Sequence, residues 1–231
     1  MSSSHSRFVV LDTETTGLDP LKGDRIIEVA CLELDQGLYP TDRTYHQYIN
    51  PQREIGRAAY NVHGIDNEFV KDSPLFADIA PELWDFIKDA RLIIHNAEFD
   101  VKFLNSEFAR LDYPTIHIDQ SIDTLKIARK KYPGMANNLD ALCKRFSISL
   151  EDREKHGALI DVRLLASVYI ELTQGGRQQS FLNTEKQNRA EVGNVSSINR
   201  RTCEPRTFDY PETENHKDFI KKNFKENLWG Y

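Results

Sequence analysis

Apolar positions along this chain follow two rhythms, one of strands and one of helices. Phe8, Val9, Val10 and Leu11 run together and stop at Asp12, the pattern of a buried strand ending in charge. Residues 25–34, RIIEVACLEL, carry Ile27 and Val29 among β-branched neighbours and predict a second strand, closed by a turn at Asp35–Gly37. TYHQYIN, residues 44–50, alternates and predicts a third, stopped by Pro51. The connections are short and polar, the first spanning Asp19 to Asp24 with Pro20 and Gly23, and they favour an antiparallel meander.

The rhythm then changes. Residues 52–75 are mixed and suggest short helical turns around VHGI (Val62 to Ile65). From Phe76 to Ala90, Phe76, Ile79, Ala80, Leu83, Phe86 and Ile87 recur at helical spacing. RLIIH (91–95) is a compact strand, and Asn96 stands in N-cap position for a helix through Phe99, Phe103, Leu104, Phe108 and Leu111. A strand about 116–122, helices near 123–132 and 138–146, and a strong helix at 158–173 complete the series, with Gly175–Gly176 as its stop. The expected fold class is α/β: a mixed five-stranded sheet flanked by helices over residues 7–176, after a disordered 1–6. Residues 177–206 are polar and read as a flexible linker. The tail, 207–231, regains apolar groups, and Ile220, Phe224 and Leu228 would form one stripe of a short helix, with Trp229 beside it. Such a helix is too short to stand alone, and its exposed aromatics suggest a groove on a partner; folding back on its own domain is the alternative.

Composition narrows the class. The 231 residues, 39% hydrophobic and 29% charged, suit one soluble domain with chain to spare. No apolar run has membrane-spanning length, and the start, MSSSHSR, lacks a signal-type apolar stretch, so no membrane partner is expected. Cys31, Cys143 and Cys203 lie far apart without metal-ligand spacing, as expected of reduced thiols in a cytoplasm. Residues 174–231 hold 10 Lys and Arg against 8 Asp and Glu, so of the net charge of −6 the front portion carries −8 and the tail +2. An acidic domain binds nucleic acid poorly by itself, so bound metal or a partner would have to offset its acids.

Three acidic stations carry the candidate chemistry: Asp12 with Glu14, Asp100 in HNAEFD, and Asp161 in HGALID. Residues two apart on a strand share a face, which pairs Asp12 with Glu14 and turns Thr13 away. Asp100 lies four residues after Asn96, on the same face of a first helical turn. Each station alone reads as a solvated acidic turn or as an acid favoured by a helix dipole. Converging, four carboxylates would hold a charge near −4, and two divalent cations would cancel it. All-oxygen ligands select Mg²⁺ or Mn²⁺, in the arrangement used for in-line displacement at phosphorus. His156 would point about 140° away from Asp161 on a shared helix, so it is placed on the loop before that helix. An imidazole there suits proton removal near neutrality; a solvent-exposed loop histidine is the alternative.

LDTETTG, HNAEFD and HGALID, in this order and spacing, resemble the three exonuclease motifs of the DEDDh family of 3′–5′ exonucleases. VHGIDNEF (62–69), NNLDALCKRF (137–146) and HGALIDVRLLASVY (156–169) extend the resemblance to the members that proofread for a replicative DNA polymerase. The resemblance covers about residues 7–176 and implies a ribonuclease H-like sheet, metal ligands at Asp12, Glu14, Asp100 and Asp161, and a general base at His156. It implies contacts to a single-stranded or frayed DNA 3′ end from Asp12, Glu14, Thr15, His63, Asn96, Phe99 and Asp161. His63 could instead cap or pack, and Phe99 could be core. One departure from the family is Ala58, where an acid that would meet the terminal sugar is common. The resemblance also implies a polymerase catalytic subunit as partner, held by Ile220, Phe224, Leu228 and Trp229 of the tail. QQSFL, with Gln178, Phe181 and Leu182, resembles a sliding-clamp motif, against a plain linker with two stray apolar residues. The expected function is excision of mispaired 3′-terminal nucleotides. An RNA- or oligonucleotide-trimming enzyme, or an idle polymerase-stabilising subunit, are the alternatives, and the complete Asp/Glu/His set counts against idleness.

Overall fold

The computed structural model describes residues 7–150 and 156–173. The expectations for residues 1–6, the Gly175–Gly176 stop, the linker with Gln178, Phe181 and Leu182, and the tail with Ile220, Phe224, Leu228 and Trp229 lie outside the described residues.

Strand β1 (Arg7–Thr15) is the centre of a five-stranded sheet of order β3-β2-β1-β4-β5. β2 (Ile26–Leu34) and β3 (Pro40–Tyr48) form the antiparallel meander beside it. β4 (Ala90–Ile94) lies against the other edge of β1, parallel to it, and β5 (Ser121–Asp123) follows in parallel. The chain thus reverses direction of travel across the sheet at β1, and the carboxyl ends of β1 and β4 open on a crevice where α/β sheets gather ligands. Val9, Val10 and Leu11 are fully buried because both faces of β1 are covered, which is why the stretch reads as a continuous apolar run rather than an alternating one.

Helices cover both faces. Val9 and Leu11 meet α3 (Phe76–Ile87) and α4 (Ala97–Ala109) through Leu83, Ile87, Phe103 and Phe108. Val10, Ala30 and Leu32 meet the opposite layer, α5 (Thr124–Lys131), α6 (Leu139–Arg145) and a helix over residues 158–173, here α7, through Ala128, Leu142, Val162 and Leu165. The two short helices expected near VHGI are α1 (Arg57–His63) and α2 (Asn67–Val70). Burial on this scale supplies most of the fold's driving force, on the order of 2 kcal/mol per large apolar side chain.

Three boundaries differ from the sequence pattern. The strand expected at 116–122 contracts to Ser121–Asp123. The side-chain amide of Asn105 takes both backbone groups of Ile116, at 2.8 and 2.9 Å, and so removes them from any strand ladder. β3 begins earlier, at Pro40, because an edge strand tolerates proline and polar residues that an apolar pattern does not flag. Asn96 does hold the N-cap position of α4, yet its side chain makes no cap hydrogen bond: the residue is left-handed, at φ 74°, and exposed, while Asp100 is buried. The two therefore do not share one surface, as their spacing suggested.

Candidate active site

The carboxyl end of β1 carries Val10, Asp12 and Glu14 on the face that packs against α7, and Leu11, Thr13 and Thr15 on the face toward α4. A register shift between Glu14 and Thr15 breaks the ladder with β2 at that point, a local bend of the kind that re-aims side chains beside sites. Thr13 reaches across to the first turn of α4. Its backbone N–H (3.1 Å) and hydroxyl (2.7 Å) both donate to Oδ1 of Asp100, fixing a carboxylate that is only 4% exposed. α7 supplies the third station: Asp161 closes its first turn, with its N–H donating to the Gly157 carbonyl at 2.9 Å.

His156 lies outside α7, exposed on the preceding loop, as the 140° argument required. Its Nδ1 stands 3.4 Å from Oδ2 of Asp161, and its N–H donates to the Val62 carbonyl at 3.4 Å. Donor atoms of Glu14, His156 and Asp161 all fall within 4.8 Å of one another, a spacing that a single cation can bridge. Asp12 is tied to the group by charge. Burial first, then Asp100, Glu14, Asp161 and Glu28, all push its pKa well above the ordinary value. Burial likewise lifts Asp100 to about 7, against the hydrogen bonds from Thr13 that favour its ionised form. These are strained anions in need of a counter-charge. The donor set, carboxylate oxygens with one imidazole, makes the cluster a candidate divalent-cation site.

The remaining expected contacts divide. His63 is buried at the end of α1, and its Nδ1 accepts from the Ile65 N–H at 3.0 Å in the turn that leaves the helix. Phe99 is half-buried, stacked 4.9 Å from Phe103 at the edge of the core. The Thr15 hydroxyl donates to the Gly17 carbonyl at 2.6 Å and serves the turn. Beside Asn96 a cavity of about 610 Å³ opens, lined by His95, Arg129, Asn137 and Asn138 among others, with no acid in its lining. Sequence reasoning passed over Thr13, and also Glu28, which faces Glu14 directly across the β1–β2 pair and is 2% exposed. A lone charge in the otherwise apolar front of RIIEVACLEL was the signal for it.

A carboxylate cluster at the switch point of a mixed sheet is a nuclease arrangement, and a profile of the exonuclease family matches residues 9–169: the chain belongs to that family. More particularly, it is 45% identical over 230 residues to the Rickettsia felis protein called DNA polymerase III subunit epsilon, a match covering 96% of this chain and 99% of that one. The subunit of the same name from Escherichia coli K12 is 36% identical over 242 residues, covering 99% of each. Among solved structures, Exonuclease X in complex with 5′-overhanging duplex DNA is 25% identical with a TM-score of 0.56, over 73% of this chain and 92% of that one.

The raised carboxyl pKa values fix a pH dependence. Because Asp12 and Asp100 hold protons more tightly folded than unfolded, the metal-free protein loses stability as pH rises from about 4 through 7. Asp12→Asn removes one of these charges and should raise the melting temperature of chelator-treated protein at pH 7.5 by about 2–8 °C, the equivalent of ~1–2 kcal/mol in a domain of this size. The gain should shrink toward zero at pH 4. A gain of the same size at both pH values, or a loss at pH 7.5, would contradict the electrostatic reading.

Proposed function

We propose that this chain excises mispaired 3′-terminal nucleotides for a replicative DNA polymerase, in the cytoplasm, by hydrolysing the terminal phosphodiester. The observation that carries this reading is the convergence of Asp12, Glu14, Asp100 and Asp161 beside His156, in a chain that aligns end to end with proteins called DNA polymerase III subunit epsilon. Asp12, Glu14, Asp100 and Asp161 would hold two divalent cations, Mg²⁺ or Mn²⁺. Bound there, the cations supply Lewis-acid activation of water and charge stabilisation of the leaving 3′ oxygen.

The chain's own residues do the rest. Thr13 holds the Asp100 carboxylate in one orientation, so that this ligand is positioned before substrate arrives. His156 takes the proton of the attacking water as the new P–O bond forms and the bond to the 3′ oxygen breaks, and its exposed loop leaves it accessible to that water. His63, Asn96 in its exposed left-handed turn, and Phe99 at the core edge would contact the terminal nucleotide. The acid-free cavity beside Asn96, with Arg129 on its wall, gives the preceding phosphates a path away from the carboxylates.

The net negative charge makes the domain depend on a partner to hold the strand. Similarity to the epsilon subunits runs through the tail, which supports the Ile220, Phe224, Leu228 and Trp229 stripe as the polymerase contact and leaves QQSFL as a clamp contact.

His156→Ala should lower turnover by roughly 10²–10⁴ on end-labelled mispaired DNA in Mg²⁺ or Mn²⁺. A His156→Ala turnover equal to that of the wild type removes His156 from this role. Parallel reactions on short RNA separate the DNA reading from RNA trimming. Truncation after Gly176 should preserve hydrolysis of single strands and abolish co-elution with the polymerase catalytic subunit. Persistent co-elution would move that contact onto the catalytic domain.

A further inference from the structure

β2 is buried from Ile26 to Leu32, and one residue in that run is charged. Glu28 sits on the sheet face shared by Asp12 and Glu14, directly opposite Glu14 in the β1–β2 register and opposite Tyr48 in the β2–β3 register. Two acids facing each other across a strand pair repel, and Glu28 also raises the Asp12 pKa. An apolar side chain would relieve both effects, so this position departs from what the sheet alone favours. Departures of that kind concentrate where a site is being built.

The Glu28 carboxylate is fully engaged by protein on both oxygens. Oε1 lies 2.7 Å from Nε2 of His46, within hydrogen-bond distance. Tyr48 is next to it: burial first, and then the charge and a hydrogen bond of Glu28, raise the phenol above its ordinary pKa. Oε2 accepts from the backbone N–H of Ala158 at 3.2 Å, across 130 residues of sequence. Ala158 is fully buried and is the first residue of α7, directly after Gly157 and two residues beyond His156. On its other side the His156 segment is tied by the contact of its own N–H with the Val62 carbonyl. Beside its contact with Asp161, the loop bearing the imidazole is therefore tied to the sheet by Glu28, through a backbone N–H that is buried.

We propose that Glu28, fastened by His46, is a positioning residue for the general base: by gripping the Ala158 N–H it fixes the His156–Gly157 segment against the carboxylate cluster. This rests on the reading of His156 as the base. With its oxygens turned to His46 and Ala158, Glu28 acts in this proposal through His156 rather than as a cation ligand. Asp161 depends on it much less, since it lies further into α7, beside Val162, which is fully buried in the apolar layer.

The test uses the full chain, with Glu28→Ala, Glu28→Gln and Ala158→Pro. Proline at the first helical position keeps α7 while deleting the one N–H that Glu28 accepts, so it probes the contact even if Glu28→Ala folds poorly. Expected for Glu28→Ala and Ala158→Pro alike is a roughly 10–100-fold fall in kcat, the scale of a misplaced catalytic group, with KM and Mn²⁺ affinity changed less than about threefold. Amide exchange in a peptide covering residues 156–161 should speed up in both. Glu28→Gln, which retains an acceptor oxygen, should restore kcat to within about threefold of wild type. In a His156→Ala background the Glu28→Ala loss should vanish.

Wild-type kcat and unchanged exchange in both variants overturn the proposal, as does a Glu28→Ala penalty that persists in full without His156. Loss of Mn²⁺ affinity in step with kcat would make Glu28 a support of the cation site and also overturn it. If His156→Ala itself keeps full activity, the base reading fails instead, and the exchange measurement still reports whether Glu28 anchors the loop.

Discussion

Like-charge crowding at the end of β1 is the constraint on which the rest of this structure depends. Asp12 feels the charges of Asp100, Glu14, Asp161 and Glu28 together with its own burial, and all act in the same direction. Such a group of anions cannot spread apart, because β1 is fixed from both faces by Val9, Val10 and Leu11. Helices α4 and α7 each deliver one more acid from a first turn, where the helix dipole favours negative charge and offsets part of the repulsion. The cluster is stable only in a scaffold that is over-determined elsewhere, and burial and like charge favour the protonated forms of Asp12 and Asp100.

The over-determination is visible in named contacts. On the α4 side, Arg25 at the start of β2 grips Glu107 with two hydrogen bonds of 2.6 and 2.7 Å, and Glu107 is 2% exposed. That pair locks the helix bearing Asp100 to the meander, and removing one partner would strand a buried charge. On the α7 side the equivalent lock is the Glu28 carboxylate on the Ala158 N–H, backed by Val162 and Leu165 in the apolar layer. Carboxylate contacts that bridge sheet and helix thus stand on both faces, an ion pair on one and a backbone hydrogen bond on the other, each next to a station of the site. The first restrains the helix that presents Asp100, and the second the start of α7 directly after His156 and Gly157.

Much of this was legible in the sequence, for reasons that can be stated residue by residue. The apolar run at Phe8–Leu11 marks a strand buried on both faces, and the helical spacing of Phe76 to Ile87 marks α3, because burial imposes those periods directly. Asp12, Glu14 and Asp100 stand at strand ends or just after one, and the angle between His156 and Asp161 put the histidine on the loop where it lies. What the pattern could not carry are contacts whose partners are far apart in sequence: Thr13 to Asp100, Glu28 to Ala158, Asn105 to Ile116. Each of these involves a backbone group or a single side chain with no periodic signature. The same gap explains why the strand near 116 was over-extended, and why Asn96 was taken as a side-chain cap when its left-handed backbone makes the turn.

The central claim is that the carboxylate cluster is built to be completed by two hard divalent cations. Titrating the chelator-treated protein with Mn²⁺ at pH 7.5, and following the unbound ion by electron paramagnetic resonance, counts them directly. The account predicts two bound per chain in the wild type, with binding weakening as pH falls and protons compete for Asp12 and Asp100. Saturation at one ion or none, or an affinity indifferent to pH across that range, would contradict it.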